Sequence, residues 1–201
     1  MLEIRISRLG DIELAGGSVG TVSATHMWWH RALFHLAQAE VGAALELYDR
    51  RIRVGRSLEV ADMIDAASLL WRIELLYVDT GARWLELASA WAAHIEDAYC
   101  TFVDVHAMLA LVGARDCKAA SRLEDALLRR QALNTRYGIT TSLVGLPACR
   151  ALVAFGRRDY ARATKLLRAI PSVARKIGGS HAQRDLLYLT LLEAVRRPRR
   201  S

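Results

Sequence analysis

The sequence predicts an all-α protein built from paired antiparallel helices. Strong helix formers dominate the 201 residues, and only 3 residues are proline. Apolar residues recur every three to four positions between short polar or glycine-containing breaks, which is the periodicity of amphipathic helices. No stretch of strict alternation is long enough for a strand. With 53% hydrophobic residues, the chain is long enough for one domain with a substantial core.

Four helical pairs and a terminal helix are expected, or about nine helices in all. Each predicted helix is about three to four turns long, which fits antiparallel pairs joined by tight connections. The predicted pairs lie at residues 26–54, 62–97, 103–132 and 147–170.

The chain divides into a helical domain and two flanking segments. Residues 23–195 form the predicted helical domain. Residues 1–22 carry no helical periodicity and are interpreted as an irregular N-terminal segment, and residues 196–201 as a basic tail.

Three segments share one local arrangement in which an alanine is followed, four residues later, by a large residue. The small alanine lets the second helix of a pair lie close to the first, and the larger side chain fills the groove beside it. This is the packing logic of a tetratricopeptide-type hairpin, in degenerate form because the spacing is irregular. The pairs are Ala44 with Tyr48, Ala119 with Leu123, and Ala163 with Leu167.

The net charge of +7 comes largely from the C-terminal tail. Elsewhere the arginines mostly alternate with carboxylates on helix faces. A nucleic-acid surface needs clustered cations along a groove, usually with aromatic platforms for single strands. Nucleic acid is therefore not an expected partner, and the tail is interpreted as an aid to solubility. Four of the positive charges belong to Arg196, Arg197, Arg199 and Arg200.

The sequence indicates a cytoplasmic protein. No run approaches the roughly 18–20 uninterrupted apolar residues that cross a bilayer, so no membrane association is expected. The N-terminus lacks the pattern of a signal peptide. Cys100, Cys117 and Cys149 are odd in number and lack metal-ligand spacing, which indicates reduced thiols. No cofactor is expected.

Six sequence blocks, in order, resemble the tetratricopeptide repeat protein 38 family. The first reads His-x-Trp-Trp-His-x-Ala-Leu-x-His. The resemblance covers residues 23–195 and corresponds to the C-terminal part of the family. It implies an α-helical solenoid, and the family has no settled activity to carry over. The blocks lie at residues 26–35, 65–72, 102–108, 145–147, 154–160 and 178–185.

Family members carry further helical repeats before the His-Trp block, whereas residues 1–21 do not resemble them. The chain is therefore expected to be a truncated or rearranged member. A solenoid without its terminal repeats exposes an apolar face, so a second copy or a partner is expected to cover it.

His26 and His30 are four residues apart and share one face of a helix. That spacing can ligate a metal, but no glutamate base lies between the two histidines. Nothing in the sequence shows that Asp104, His106 or His181 would complete a ligand set, so no metal site is predicted. The histidines are interpreted either as hydrogen-bonded groups in a helix interface or as part of a polar ligand pocket.

Trp28 and Trp29 cannot both face one core, because consecutive residues of a helix point in different directions. One of the two is expected to line a groove or to cover the histidines. Trp71, Trp84 and Trp91 are expected in the core.

The block at residues 178–185 concentrates polar chemistry at a helix start. Ser180 and Gln183 have the spacing of a capping box. The plain interpretation is a capped turn. The functional one is an anion site formed by free amides after Gly179, with His181 and Arg184 as donors. Asp185, four residues after His181, could orient that imidazole.

Asp104 and His106 would point to different sides of one helix, and Asp104 is interpreted as an N-cap. A salt bridge between helices is the expected role of Arg72, which shares a helix face with Asp65 and Ser68.

The predicted function is recognition of a protein, a peptide or a small polar or anionic ligand on a concave helical face. We expect His30, His106, His181 and Arg184 to line a shared pocket with Trp28 or Trp29 at its edge. The alternative is an enzyme of unknown reaction, with no compelling nucleophile. The tentative ligand-binding residues are His26, Trp28, His30, Asp104, His106, Gly179, Ser180, His181, Arg184 and Asp185, and the alternative enzyme site comprises His26, His30, His106, His181 and Asp185.

Overall fold

The computed structural model describes residues 22–97, 100–170 and 178–197. Within this part of the chain every regular element is helical, and nine helices follow one another. They are α1 (Val22–Ala37), α2 (Val41–Leu47), α3 (Val60–Leu75), α4 (Arg83–Trp91), α5 (Thr101–Gly113), α6 (Cys117–Gln131), α7 (Arg136–Gly156), α8 (Tyr160–Leu167) and α9 (His181–Arg196). The predicted N-terminal segment lies outside the described residues except for Val22, which begins α1.

The first eight helices form four antiparallel hairpins: α1–α2, α3–α4, α5–α6 and α7–α8. The first helix of each hairpin packs on the first helix of the next, so that α1, α3, α5 and α7 contact in order. Helix α9 packs on α8 and returns to α3. It runs beside α3 in the same direction, because Gln183 contacts Asp65 while Trp71 donates from Nε1 to Thr190 Oγ1 over 2.9 Å.

One turn geometry connects the two helices in all four hairpins. The second residue after each first helix has a left-handed backbone with φ between 57° and 64°. Its amide donates to the carbonyl three residues earlier, and the next amide donates to the carbonyl five residues before itself. This is the Schellman arrangement, which satisfies the last carbonyls of a helix. The left-handed residues are Ala39, Tyr77, Arg115 and Arg158.

The predicted core residues are buried. Each alanine of the repeated arrangement and its large partner lie in the interior, so the second helices approach the first ones closely. The buried set comprises Ala44, Tyr48, Ala119, Leu123, Ala163 and Leu167, together with Trp71, Trp84 and Trp91.

Helix α7 begins well before the predicted fourth pair at residues 147–170. It starts at Arg136 and contains a π-helical turn, Thr141–Gly145. Pro147 lies two residues after this turn, so its missing amide falls where the regular hydrogen-bond ladder is already interrupted. By length and composition alone, α7 is the one helix among the described residues that could cross a membrane. Most of its apolar stretch is buried inside the fold, as in the core helix of a folded domain.

Candidate functional site

A hydrogen-bonded chain joins α1, α3 and α9. His26 Nδ1 lies 3.0 Å from Asp65 Oδ2, and Gln183 Nε2 donates to Asp65 Oδ1 over 3.3 Å. Asp65 is buried, and this desolvation raises the pKa of its carboxyl against the opposing effect of the two hydrogen bonds. An ionised Asp65 accepts a hydrogen bond from the protonated Nδ1 of His26. The other ring nitrogen, Nε2, is therefore available to another partner.

The two histidines of α1 share one face, as their spacing predicts. The ring centroids of His26 and His30 are 4.7 Å apart, and the indole of Trp29 stacks on His26 at 5.1 Å. The side chain of His26 is 34% exposed, and His30 lies at the surface. Burial and the neighbouring His26 lower the pKa of His30, which favours its neutral imidazole at neutral pH.

Trp28 and Trp29 face opposite ways, as predicted. Trp29 is fully buried, whereas Trp28 is half-buried at the surface. The guanidinium groups of Arg51 and Arg31 lie 4.8 Å and 5.5 Å from the Trp28 ring centre, within cation–π range. Trp28 therefore belongs to a positively charged surface patch that it forms with Arg31 and Arg51.

Arg72 links α3 to the first turn of α9. Its Nη1 donates to Ser68 Oγ over 2.6 Å, and its Nη2 donates to the carbonyl of Ala182. Arg72 was predicted to form a salt bridge between helices. It instead donates a hydrogen bond to a backbone carbonyl, and the charge of Asp185 interacts favourably with its guanidinium group. Burial lowers the pKa of Arg72 to about 10, which leaves the group charged at neutral pH. Its carbon Cζ lies 5.8 Å from the ring centre of Trp29.

His106 reaches the same region from α5. It is fully buried, and its Nδ1 donates to the carbonyl of Phe102 over 2.8 Å. Desolvation lowers the pKa of His106 to about 4, and the charge of Arg72 acts in the same direction. The imidazole is therefore neutral, with Nε2 as an acceptor that has no partner among the described residues.

We call this region the junction, defined by His26, Trp29, Asp65, Arg72, His106 and Gln183. One more buried polar atom of the junction, Trp29 Nε1, lacks a hydrogen-bond partner in the described part of the chain, and so does Asp62 Oδ1 one turn before Asp65. Buried polar groups are normally satisfied by protein or water. These atoms can each form a hydrogen bond with water or with a polar ligand.

The first turn of α9 satisfies much of its own hydrogen bonding. Ser180 Oγ accepts from the Gln183 amide and Gln183 Oε1 accepts from the Ser180 amide, so the predicted capping box is confirmed. Arg184 Nη1 donates to the carbonyls of Gly178 and Gly179. The predicted anion site on these amides and Arg184 is therefore weakened, because some of its donors already have partners inside the protein.

The structure does not bring Asp104 to the junction. The N-cap of α5 is Cys100, so the interpretation of Asp104 as an N-cap is wrong. Asp104 is buried, and its Oδ2 accepts from Arg130 of α6 over 3.1 Å. Burial raises the pKa of Asp104 to about 7, against the opposing effect of Arg130. The side chain of His181 lies outside the described structure, so its predicted place in the pocket stays a prediction.

The residues that join the predicted site residues were interpreted from the sequence as structural. Asp65, Arg72 and Gln183 were expected to form a helix face and a cap, yet they connect His26 to α9. The sequence feature that could have identified them as site residues is their position inside the family-like blocks at residues 65–72 and 178–185. The structure thus brings three blocks together through hydrogen bonds, and His106 joins them through the charge of Arg72.

The junction can orient an imidazole and present its second nitrogen at the surface. No group of three or more histidine, cysteine, aspartate or glutamate side chains that could hold a metal occurs among the described residues. All three cysteines are free thiols.

No protein-family model matches the chain. No solved structure matches it significantly.

Proposed function

We propose that this chain is a cytoplasmic helical-repeat protein that binds a small anionic ligand beside the junction. The proposed architecture is a right-handed, tetratricopeptide-like solenoid related to the C-terminal part of the tetratricopeptide repeat protein 38 family. The four identical hairpin turns and the ordered packing of α1, α3, α5 and α7 support it. The ligand would bind at the surface edge formed by His26 and His30, whose ring centroids are 4.7 Å apart.

The observation that carries the ligand proposal is the hydrogen-bonded chain Gln183–Asp65–His26. A buried carboxylate fixes the orientation of a half-exposed imidazole. Maintaining a buried carboxylate costs free energy, and packing alone does not require one. A fixed imidazole with one nitrogen at the surface is suited to donating or accepting a hydrogen bond from a ligand.

Helix α3 is closed to a ligand. Every residue of α3 from Asp62 to Ile73 is buried, and α9 packs against this helix. A ligand on the concave side would therefore meet α9 rather than α3. This favours the edge at α1, where His26 and His30 reach the surface, over an open concave wall for a long peptide.

Positive charge on the adjoining side of α1, around Trp28, favours an anionic ligand. Arg31 and Arg51 flank Trp28, and neither has a carboxylate partner among the described residues. The nearby Asp65 is buried and already accepts two hydrogen bonds. Guanidinium groups bind carboxylates and phosphates through paired hydrogen bonds.

The test compares three histidines of α1. Histidine ring resonances are followed by NMR while inorganic phosphate, as the probe, is titrated at constant ionic strength. We expect His26→Ala and His30→Ala to weaken phosphate binding about tenfold, the value of one charge-assisted hydrogen bond. His35→Ala is the matched control, because His35 pairs with Glu40 at the other end of α1. Equal effects of all three variants would contradict the proposal.

An enzymatic role is the second candidate, and the His26–Asp65 pair favours it specifically. A histidine oriented by a carboxylate through Nδ1 is the arrangement that general-base catalysis requires. Incubating the protein with a panel of phosphate and carboxylate compounds, followed by mass spectrometry, separates the two functions. Turnover that is lost in His26→Ala would indicate catalysis, whereas unchanged compounds would favour binding alone.

We also propose that a second copy covers the outer face of α9. Four large apolar side chains within about two turns of the helix form an exposed stripe there, which is an unusual surface for a monomer. Sedimentation of the wild type and of Leu192→Glu would test this, with dissociation to monomers expected for the variant. A wild-type monomer at high concentration would contradict it. The stripe consists of Tyr188, Leu189, Leu192 and Val195.

A further inference from the structure

A cleft lies between the third and fourth hairpins, away from the junction. Its volume is about 330 Å³, within the range of small-molecule sites. Leu111 and Val112 at the end of α5 and Val153 of α7 form an apolar floor. The two hairpin turns that follow α5 and α7 border it, so its walls come from two separate repeats.

Three arginines on the rim of the cleft have no side-chain partner within the described part of the chain. The side chains of Arg115, Arg157 and Arg162 make no hydrogen bond or ion pair with any other described residue. They come from different elements: the turn after α5, the turn after α7, and α8. With Arg150 the lining holds four arginines against three carboxylates, a net charge of +1, and the three rim guanidinium groups direct several hydrogen-bond donors around one concave volume.

The carboxylates of the cleft already have fixed partners. Asp116 accepts from the Ala119 amide over 2.9 Å and caps α6, and Asp159 caps α8 in the same way. Glu124 pairs with a fourth arginine of the lining, Arg150, over 2.7 Å. These contacts leave the three rim guanidinium groups free to bind a ligand. The N-termini of α6 and α8 also border the cleft, and their dipoles favour negative charge.

We propose that this cleft binds a small organic anion that carries at least two carboxylate or phosphate groups. Guanidinium groups from opposite sides of the cleft would each hold one anionic group through paired hydrogen bonds, while the apolar floor contacts the carbon body. A cleft of about 330 Å³ fits such a molecule better than an extended peptide. The cleft belongs to the third and fourth hairpins, so this inference is independent of the ligand proposed at α1.

Alkylation of Cys117 can report whether a ligand occupies the cleft. Cys117 lies in the lining with an exposed thiol, whereas Cys149 is buried. In a Cys100→Ser background, the alkylation rate of Cys117 by iodoacetamide is measured with increasing citrate, at ionic strength matched with sodium chloride. We expect citrate to slow alkylation in a saturable way, because a molecule held by the rim arginines covers the thiol.

The variants separate a specific site from general charge effects. The double variant Arg115→Ala, Arg162→Ala should weaken protection at least tenfold, by the loss of charge-assisted hydrogen bonds. Arg162→Lys should weaken it less, since it keeps the charge but loses the planar fork. Arg136 is an exposed arginine outside the lining, and Arg136→Ala is the control. Citrate should protect Cys117 in this variant as strongly as in the parent protein.

Pyrophosphate in place of citrate distinguishes phosphate from carboxylate as the preferred group, and saturable protection by either supports the proposal. Absence of protection by both anions at about ten millimolar, a concentration far above that needed for a specific small-molecule site, would overturn it. Protection that persists unchanged in the double variant would overturn it as well. Circular dichroism of each variant confirms that the helices are intact, so that a loss of protection reports on the cleft.

Discussion

The ring of Phe102 occupies the space that a side chain on Gly179 would need. A Cβ atom built on Gly179 would lie 2.4 Å from Phe102 Cε2. Gly179 also has a φ of 75°, which favours glycine. The contact places the start of α9 against α5, where the Phe102 carbonyl accepts from His106. The glycine therefore determines how closely α9 approaches the junction.

Gly178 and Gly179 provide a matched pair of substitutions. Both have positive φ, but a Cβ on Gly178 would meet open space. We expect Gly178→Ala to cost about 1–2 kcal/mol from backbone strain alone. Gly179→Ala should cost more, because Phe102 must also move, by about 1–3 kcal/mol of overpacking. Urea denaturation measures both, and equal losses of stability would show that the Phe102 contact is unimportant.

Much of the fold follows from the sequence, because helix periodicity and caps are local signals. The hairpins near residues 26–54, 62–97 and 103–132, the buried tryptophans and the Ser180 capping box were all predictable. The hairpin turns were not, since their left-handed residues are alanine, tyrosine and arginine rather than glycine. Their even placement at positions 39, 77 and 115 shows a repeat that the degenerate alanine pattern hides.

The site was only partly predictable. Spacing placed His26 beside His30, because both lie on one helix. It could not reveal that Asp65 and Gln183, far apart in sequence, meet at His26, since that contact depends on the return of α9 to α3. The same limit led to the wrong role for Asp104, whose partner Arg130 belongs to the next helix.

Asp65→Asn should destabilise the protein. The amide group of the new side chain presents a donor where the carboxylate accepts from both His26 and Gln183, so one hydrogen bond of the chain is lost in a buried place. We expect a loss of about 1–3 kcal/mol in chemical denaturation, and a change in the ring resonances of His26. Asp125→Asn, on the exposed face of α6, is the control with little expected effect. A neutral result for Asp65→Asn would show that the chain is not formed.

His106 should make stability depend on pH. Its pKa falls from 6.5 in the unfolded chain to about 4 in the folded protein, so the unfolded state binds more protons between these values. The stabilising effect of neutral His106 is thus fully present above pH 6.5 and is lost as the pH falls towards 4. By itself it amounts to about 3 kcal/mol over this window.

Asp104 acts in the opposite direction. Its raised folded pKa, about 7, makes the folded state bind more protons than the unfolded state from about pH 4 upward, so its contribution falls as the pH rises to 7. The difference in unfolding free energy between the wild type and His106→Gln isolates the histidine, because Asp104 is common to both. A difference that is constant from pH 4 to 6.5 would contradict a buried neutral His106.

Overpacking should distinguish the two alanines at the start of α8. Ala163 is fully buried against the preceding helix, whereas Ala161 is exposed. We expect Ala163→Leu to cost about 1–3 kcal/mol, because three added carbon atoms must displace neighbours in a packed interior. Ala161→Leu on the same helix should change stability by less than about 0.5 kcal/mol. Thermal unfolding followed by circular dichroism compares them, and similar midpoints would show that the hairpin tolerates a wider helix spacing.

Arg197 should stabilise the C-terminal end of α9. From the sequence alone it was interpreted as part of a basic tail that aids solubility. Its guanidinium lies 4.4 Å, 4.8 Å and 5.6 Å from the ring centres of Tyr77, Phe155 and Tyr160. Its Nε is 3.8 Å from the buried Glu193 carboxylate. Three rings from the second and fourth hairpins thus enclose a cation from α9, and a desolvated cation–π contact contributes about 2 kcal/mol.

Arg197→Ala should therefore lower stability by about 2 kcal/mol and speed amide hydrogen exchange along α9. Arg196→Ala is the matched control. That neighbour also pairs with Glu193, but its side chain is 76% exposed, and an exposed ion pair contributes at most about 1 kcal/mol. Arg197→Lys should retain part of the effect, because an ammonium keeps the charge but not the flat stacking surface. If hydrogen exchange along α9 were the same in the two alanine variants, the end of the helix would be held by its apolar contacts with α3 and α8 instead.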